Sequence, residues 1–411
     1  MQSQVVDDAA QRQRRIVLEV AKYLRINEVD RDQIDSGKRV PNRQTGKAMK
    51  SLDDLCTQLK DRAETLGSVD AWPSDQLAAM AEAGVLGWLI PEEFGGTGIS
   101  AAELTAGYER LAAACLTSTF VLTQRNAAIQ RIVTSPNTDL KRYLLPELVD
   151  DSQFVTVGIS HLTTSRQHWK QPTVAAERLD GGFILQGEIP WVTGGDRANV
   201  IVTGGTTQYG EQVLLAVETD CDGVEMREPV SMLALNASRT GSIGLNQVFV
   251  PWTQLLHGPT DNVMKQGGGG AGTHTTSALA IGHAASAVSL LQSEAERRPE
   301  LNEILEPIAA DVAEVSSHLS EAVVSNEDPL PEHLTAESLR RRSNSLALRA
   351  SQAALAASKG AGFVTGHPAG RLVAEAMFFL VWSCPAPVVM ANLREFASLC
   401  SPGEQSWNPG C

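Results

Sequence analysis

The sequence predicts an α+β protein in which helical segments precede and follow a β-rich stretch. Apolar residues recur at helical spacing before about residue 151, and short runs rich in β-branched and aromatic residues fill 153–262. An Ala-rich helical pattern returns after the glycine run at 267–270. There is no alternating βαβ rhythm, which argues against a doubly wound nucleotide-binding sheet.

Of the 411 residues, 43% are hydrophobic and 20% charged, the balance of a soluble globular chain, and the length suggests roughly two or three domains. Lys and Arg (34) against Asp and Glu (48) leave −14, so nucleic-acid phosphates and anionic lipid are repelled and neither is expected as a partner. No stretch approaches the roughly 18 to 20 apolar residues of a membrane helix, and charges within 1–15 stand where a secretory segment is apolar. A cytoplasmic location is the expectation. Cys56, Cys115, Cys221, Cys384, Cys400 and Cys411 show no CxxC or Cys/His zinc spacing and read as reduced thiols, with no metal site.

Residues 1–62 are polar, with RQRR at 12–15 and the turn-rich VPNRQTGK at 40–47, and read as an N-terminal appendage that packs by a helix rather than as a separate binding module. In 63–152, Leu77, Met80, Ala81 and Val85 recur at helical spacing, Gly87 breaks the pattern, and LIPEEFGGTGIS follows at 89–100. Ala101 to Leu116 is a second helical run, and a third after Ser135-Pro136 places Leu140, Tyr143, Leu144 and Leu148 on one side. The runs FVTVGIS, GFILQGEI, ANVIVTGG, VLLAVETD and NQVFVP make 153–262 an antiparallel sheet or barrel, with a hairpin at Asp180-Gly181-Gly182. In 263–411, Ile304, Ile308, Val312, Val315, Leu319 and Ala322 form one stripe and Ala347, Ala350, Ala354 and Ala357 another, small enough for close helix contact. This last region reads as a helix bundle. Gly267 to Gly270 lacks GxxxxGK[ST] and reads as a hinge or loop.

Blocks of this chain then resemble the acyl-CoA dehydrogenase family between Trp72 and Phe396. AGVLGWLIPEEFGGTGIS at 83–100 is similar to that family's Pro-Glu-Glu-(Tyr/Phe)-Gly-Gly-x-Gly segment, and FVTVGIS at 154–160 stands at the strand leading to its Thr-Glu-Pro flavin loop. GFILQGEIPWVTGGDRANVIV at 182–202, NQVFVPWTQLLHG at 246–258 and KGAGFVTGHPAGRL at 359–372 complete the set in the family's order. The resemblance implies an N-terminal helical domain, a middle antiparallel β-barrel and a C-terminal four-helix bundle, with FAD as cofactor and a homodimer or homotetramer as the assembly. It says less about shared chemistry.

A flavin ring needs an apolar wall and hydrogen-bond donors along one edge. On a strand, Trp191 and Thr193 point to one side, so an indole and a hydroxyl can face the same ring. By resemblance these two are flavin contacts, Ile159 and Ser160 meet the pyrimidine edge, and Thr164 and Ser165 fall where the family places a serine on the pyrophosphate. The bland alternative is that Trp191 and Thr193 are core, and that Pro91 and the glycines after it shape a loop rather than touch substrate.

Oxidising an acyl thioester requires a base for the α-proton while the β-hydrogen leaves as hydride to flavin N5. The resemblance places the family's glutamate at Ser383, or in some branches at Thr275 and Thr276, and neither position carries a carboxylate. Arg297 and Arg298 stand without the family's Phe-Gly, Ala356 replaces an amide, and Ser160-His161-Leu162 replaces Thr-Glu-Pro. His274 is the candidate for a relocated base, with His367 as another histidine; Cys384 is a candidate thiolate, and Glu375 is expected on another face. The expected function is an FAD-dependent oxidoreductase acting on a small molecule such as an acyl-CoA thioester. The alternatives are a flavin-dependent monooxygenase on the same fold, or a catalytically silent scaffold.

Overall fold

The computed structural model describes residues 51–163, 172–266 and 271–399. Helix α1 (Leu52–Arg62) starts at Ser51, whose hydroxyl accepts the Asp54 N–H at 3.1 Å. It buries Leu55 and Leu59, one turn apart, in a core shared with α2 (Ser74–Glu82) and α3 (Ala101–Ala114). This helix is part of the segment 1–62 expected as an appendage, and it packs on the core. Leu55 and Leu59, with Leu52 and Cys56 partly buried beside them, seat this otherwise polar helix, which is why its sequence reads as an appendage. The rest of that expected segment, 1–50, lies outside the described residues.

Ser100 and Glu103 form a reciprocal capping box at the start of α3. Cys115, extended at φ −155°, both ends α3 and begins α4 (Leu116–Thr134), so no loop separates them. Between α2 and α3, Gly95 is left-handed at φ 91°, and a Cβ on Gly96 would stand 2.0 Å from the Ile90 carbonyl oxygen. The PEEFGG block is thus a tight loop whose glycines are required by its own backbone. After α5 (Thr138–Leu144) the chain enters the sheet.

The strands are β1 (Val155–Gly158), β2 (Val174–Leu179), β3 (Gly182–Val192), β4 (Val200–Thr206), β5 (Gln212–Glu218), β6 (Val224–Met226), β7 (Gly241–Pro251) and β8 (Leu255–Thr260), in the order β6-β7-β3-β2-β4-β5-β8. Most pairings are antiparallel, and Asp180-Gly181 closes the β2–β3 hairpin with Gly181 at φ 96°. The sheet departs from a wholly antiparallel barrel. Strand β1 pairs parallel with β4, β2 meets β4 in a parallel bridge at Ala175–Thr206, and the path ends on β6 and β8.

Strands β4 and β5 are buried along almost their whole length because both faces are covered. Ile201, Val213, Leu215 and Val217 join the main core, while Val200, Val202, Leu214 and Ala216 pack with Ile129, Ile132, Leu140 and Leu144 of α4 and α5. Helix α4 lies between this sheet and the C-terminal helices, which explains its buried polar residues Thr119, Thr123, Arg125 and Asn126.

After the one-turn α6 (Ser160–Thr163), the remaining helices are α7 (Ala271–Arg297), α8 (Asn302–Val324), α9 (Ala336–Ala357), the short α10 (Lys359–Gly362), α11 (Pro368–Phe378) and α12 (Ala386–Phe396). Ala347, Ala350, Ala354 and Ala357 are buried, and α9 packs against α7, α8, α11 and α12. The α8 stripe is real over Val315, Leu319 and Ala322, but Ile304 is 44% exposed at its outer end. Among the described residues no helix is long and apolar enough to cross a membrane.

Candidate active site

A cavity of about 1390 Å³ opens where α3 and α4, the sheet and the C-terminal helices meet. Trp191, Thr193, Ile159, Ser160, Thr275, Thr276 and Ser383 all line it, although they come from segments far apart in sequence. Thr164 and Ser165 lie outside the described residues, as does the glycine run at 267–270.

The placement of Trp191 follows from an irregularity in β3. Its register against β7 shifts between Ile189 and Val192, so both of those side chains are buried while Trp191 between them stays 52% exposed. Simple alternation would have buried every second residue instead. Thr193, just past the strand end, is buried, with Oγ1 3.0 Å from Thr240 Oγ1, which in turn lies 2.8 Å from Ser238 Oγ. The Thr193 carbonyl accepts the Thr156 hydroxyl at 2.7 Å, pinning the segment to β1.

An exposed indole beside ordered hydroxyls, in a chamber of this volume, fits a tricyclic ring with a polar edge. Trp191 supplies the wall, and Thr193 has a hydroxyl whose second hydrogen-bonding direction remains available after Thr240 is satisfied. Ile159 and Ser160 approach from the end of β1, where α6 begins. His161 turns away: it is buried, its Nε2 pairs with the Gly204 carbonyl at 2.9 Å, and burial lowers its pKa.

The opposite wall comes from the connection between α11 and α12 and from the start of α9. Ser383 is left-handed at φ 46°, an uncommon conformation for a residue with a side chain. Trp382 stacks on Phe378 with ring centroids 5.1 Å apart at 12°, and Phe120 of α4 meets both rings edge-on at 5.0 Å. Arg340 of α9 reaches beneath this connection, its Nη2 donating to the Trp382 carbonyl at 2.9 Å and to the Phe379 carbonyl at 3.3 Å. On the α3–α4 side the Asn126 amide donates to Tyr108 Oη at 2.7 Å, and burial pushes the Tyr108 pKa up so that its hydroxyl keeps its proton.

Among the described lining residues Glu337 is the one carboxylate, and there is no histidine. His274 is half-buried next to Thr275 but does not line the chamber, and burial lowers its pKa. His367 caps α11, its Nδ1 accepting the Ala369 N–H at 3.1 Å. Burial raises the Cys384 pKa against the opposing effect of Arg340, leaving a neutral thiol. Glu375 is buried away from the chamber, with Arg371 Nη1 at 3.4 Å and His283 Nδ1 at 3.6 Å. Arg297 and Arg298 both pair with Glu294, and Arg298 also binds the Ala357 carbonyl.

Sequence reasoning missed Tyr108, Asn126, Phe120, Phe378, Glu337 and Arg340. Arg340 sits in the run Arg340-Arg341-Arg342, where Arg340 and Arg342 are both buried and nothing in the sequence marks which one lines the chamber. Tyr108 and Asn126 are 18 positions apart on different helices, and only the sharp break at Cys115 brings them together.

Residues 49–152 match the acyl-CoA dehydrogenase N-terminal domain. The probable acyl-CoA dehydrogenase YngJ of Bacillus subtilis is 26% identical over 213 residues, 49% of this chain and 55% of that protein. The chain thus spans about half the length of the curated relatives it matches. Among solved structures, a glutaryl-coenzyme A dehydrogenase in complex with glutaryl-CoA superposes with a TM-score of 0.72 at 18% identity, covering 86% of this chain and 97% of the other. The dibenzothiophene monooxygenase TdsC of Paenibacillus sp. A11-2 superposes with a TM-score of 0.65 at 16% identity, covering 87% and 98%.

Proposed function

We propose that this chain, which has the acyl-CoA dehydrogenase fold and carries that family's N-terminal domain over residues 49–152, is a flavin-dependent oxidoreductase holding FAD in the chamber beside Trp191 and Thr193. The observation that carries the reading is convergence: Ile159 and Ser160, Trp191 and Thr193, Thr275 and Thr276, and Ser383 reach one cavity from four segments. When bound, the flavin supplies a hydride acceptor at N5. Trp191 would wall the ring and the Thr193 hydroxyl would serve its polar edge, while Phe120, Phe378 and Trp382 line the chamber with apolar surface.

A small molecule of the acyl-thioester kind is the first substrate for this reading, with oxidation at a CH–CH bond. Removing the α-proton then needs a base. Ser383 and Thr275 are alcohols, too weakly acidic for their alkoxides to serve at neutral pH, and Glu337 is the lining carboxylate that remains. That same inventory favours the second reading, a flavin-dependent monooxygenase, which requires no α-proton base.

Absorbance of the purified protein tests the cofactor: flavin bands are expected, and a colourless protein that cannot be reconstituted overturns the proposal in favour of a silent scaffold. Anaerobic addition of butyryl-CoA then separates the chemistries. Bleaching without any other reductant supports the dehydrogenase; bleaching only after an external reductant, with oxygen then consumed, supports the monooxygenase.

A further inference from the structure

Behind the chamber wall, His283 of α7 and Glu375 of α11 meet in the protein interior, 0% and 2% exposed. His283 Nε2 lies 2.9 Å from the Leu372 carbonyl oxygen. A carbonyl only accepts, so Nε2 carries the ring proton, and in the neutral ring Nδ1 is a bare lone pair. That lone pair faces Glu375 Oε2 across 3.6 Å, and Nδ1 is buried without a hydrogen-bond partner.

Two acceptors set face to face in a dry interior repel one another, and an ionised carboxylate there adds the cost of a buried charge. The other charged and titratable groups around this junction do not relieve it. Arg371, one turn before Glu375 on α11, reaches Oε1 with Nη1 at 3.4 Å, a long contact from a side chain that is 30% exposed and whose Nε is buried without a partner. Cys115, where α3 gives way to α4, is a thiol that burial keeps protonated. From α9, Arg340 lies over the Phe379 ring, which itself stands 5.9 Å from the His283 ring. From α3, Glu109 is turned to Ser316 of α8. One proton resolves the contact: on Oε2 it makes an O–H donor to Nδ1, and on Nδ1 it makes a cation beside a carboxylate. Burial favours the first, because it raises the Glu375 pKa and lowers that of His283 to about 4.

We infer that His283 and Glu375 hold one proton between them at neutral pH, and that this proton latches α11 onto α7. The consequence reaches the chamber, because α11 supplies Ala374, Met377 and Phe378 to its wall and α7 supplies Thr275 and Thr276. When base removes the proton, the Glu375 O–H bond breaks, the proton passes to water, and a carboxylate is left against the Nδ1 lone pair. The latch is then open and α11 loosens. A carboxyl raised in the folded state favours folding fully below its unfolded pKa, and that contribution is lost as pH rises through the folded one, so the wall is firm at neutral pH and yields in alkali. The latch does not depend on what the chamber holds.

The test compares the full unmodified chain with Glu375→Gln, whose amide keeps a donor for Nδ1 and has no proton to lose. Infrared difference spectra of the two at neutral pH are expected to show a protonated carboxyl stretch that moves in heavy water. Nitrogen spectra of the histidines, assigned with His283→Gln, are expected to show a neutral His283 protonated at Nε2. An imidazolium at His283 in place of the carboxyl band is the same proton on the other atom and supports the inference equally. Hydrogen exchange then reads the latch. As pH rises from neutral to about 9, and after correction for intrinsic rates, the amides of 368–378 are expected to come to exchange about tenfold faster in the unmodified protein than in Glu375→Gln.

An ionised Glu375 opposite a neutral His283 at neutral pH overturns the inference, as does equal exchange of 368–378 in the two proteins across that range. Should neither variant fold, carboxyl titration of labelled glutamates in Glu109→Gln is expected to leave one of them protonated at neutral pH. Glutamates that are all ionised there, with no imidazolium among the histidines, overturn it.

Discussion

Thr193 Oγ1 and Thr240 Oγ1 lie 3.0 Å apart inside a short relay of hydroxyls that ends at Ser238. Both threonines line the chamber, and the relay orders the Thr193 hydroxyl before any ligand arrives. Thr193→Val removes a directed hydrogen bond of about 0.5–1.5 kcal/mol and is expected to weaken FAD binding roughly three- to tenfold. Thr240→Val, which only releases the orientation, is expected to cost less. Fluorescence titration of the apoprotein with FAD checks both, and equal affinity across the series would sink the assignment of Thr193.

The bond from the Asn126 amide to Tyr108 Oη, 2.7 Å long, is buried between α3 and α4. Tyr108→Phe leaves that amide without its acceptor, at a cost of about 1–3 kcal/mol. Thermal unfolding at fixed pH is expected to show the loss. A melting temperature matching the unmodified protein would mean that Asn126 finds another acceptor.

Burial of Glu109 between α3 and α8, where its carboxylate accepts the Ser316 hydroxyl at 2.6 Å, pushes its pKa up from 4.5 to about 7. A carboxyl raised in the folded state favours folding fully below 4.5, and its contribution is lost as pH rises to about 7. Glu109→Gln is neutral throughout. The difference in melting temperature, variant minus unmodified, is therefore expected to grow between about pH 5 and about pH 8; a flat difference would contradict the raised pKa.

If the substrate is an acyl thioester, Ser383→Glu places a carboxylate on the chamber wall and is expected to speed anaerobic bleaching by butyryl-CoA by about 10²- to 10⁴-fold. The left-handed backbone at φ 46° is retained with a side chain already present, so little further strain is added. A folded, yellow variant that butyryl-CoA does not bleach would move the substrate away from acyl thioesters.

The order of helix, sheet and helix was legible because each region carries its own periodicity, and the Asp180-Gly181 hairpin because its turn residues are specific. Parallel pairing of β1 with β4 was not legible, since β1 spans Val155–Gly158 and has the same composition in either orientation. At the site, strand alternation in the sequence paired Trp191 with Thr193, but Thr193 lies just past the end of β3 and the outward turn of Trp191 accompanies a register shift against β7. Arg340 stayed hidden because the carbonyls it caps, those of Phe379 and Trp382, lie 39 and 42 positions further along the chain.

The shared residue at Cys115 has a consequence for how this chamber can diversify. With no connecting residues between α3 and α4, the Tyr108–Asn126 side behaves as one splinted unit, wedged further by the sheet behind it. The chamber is also lined from the irregular segments 232–234 and 380–385, where substitutions leave that helix pair untouched. Descendants of this sequence that take differently shaped molecules are expected to differ there first.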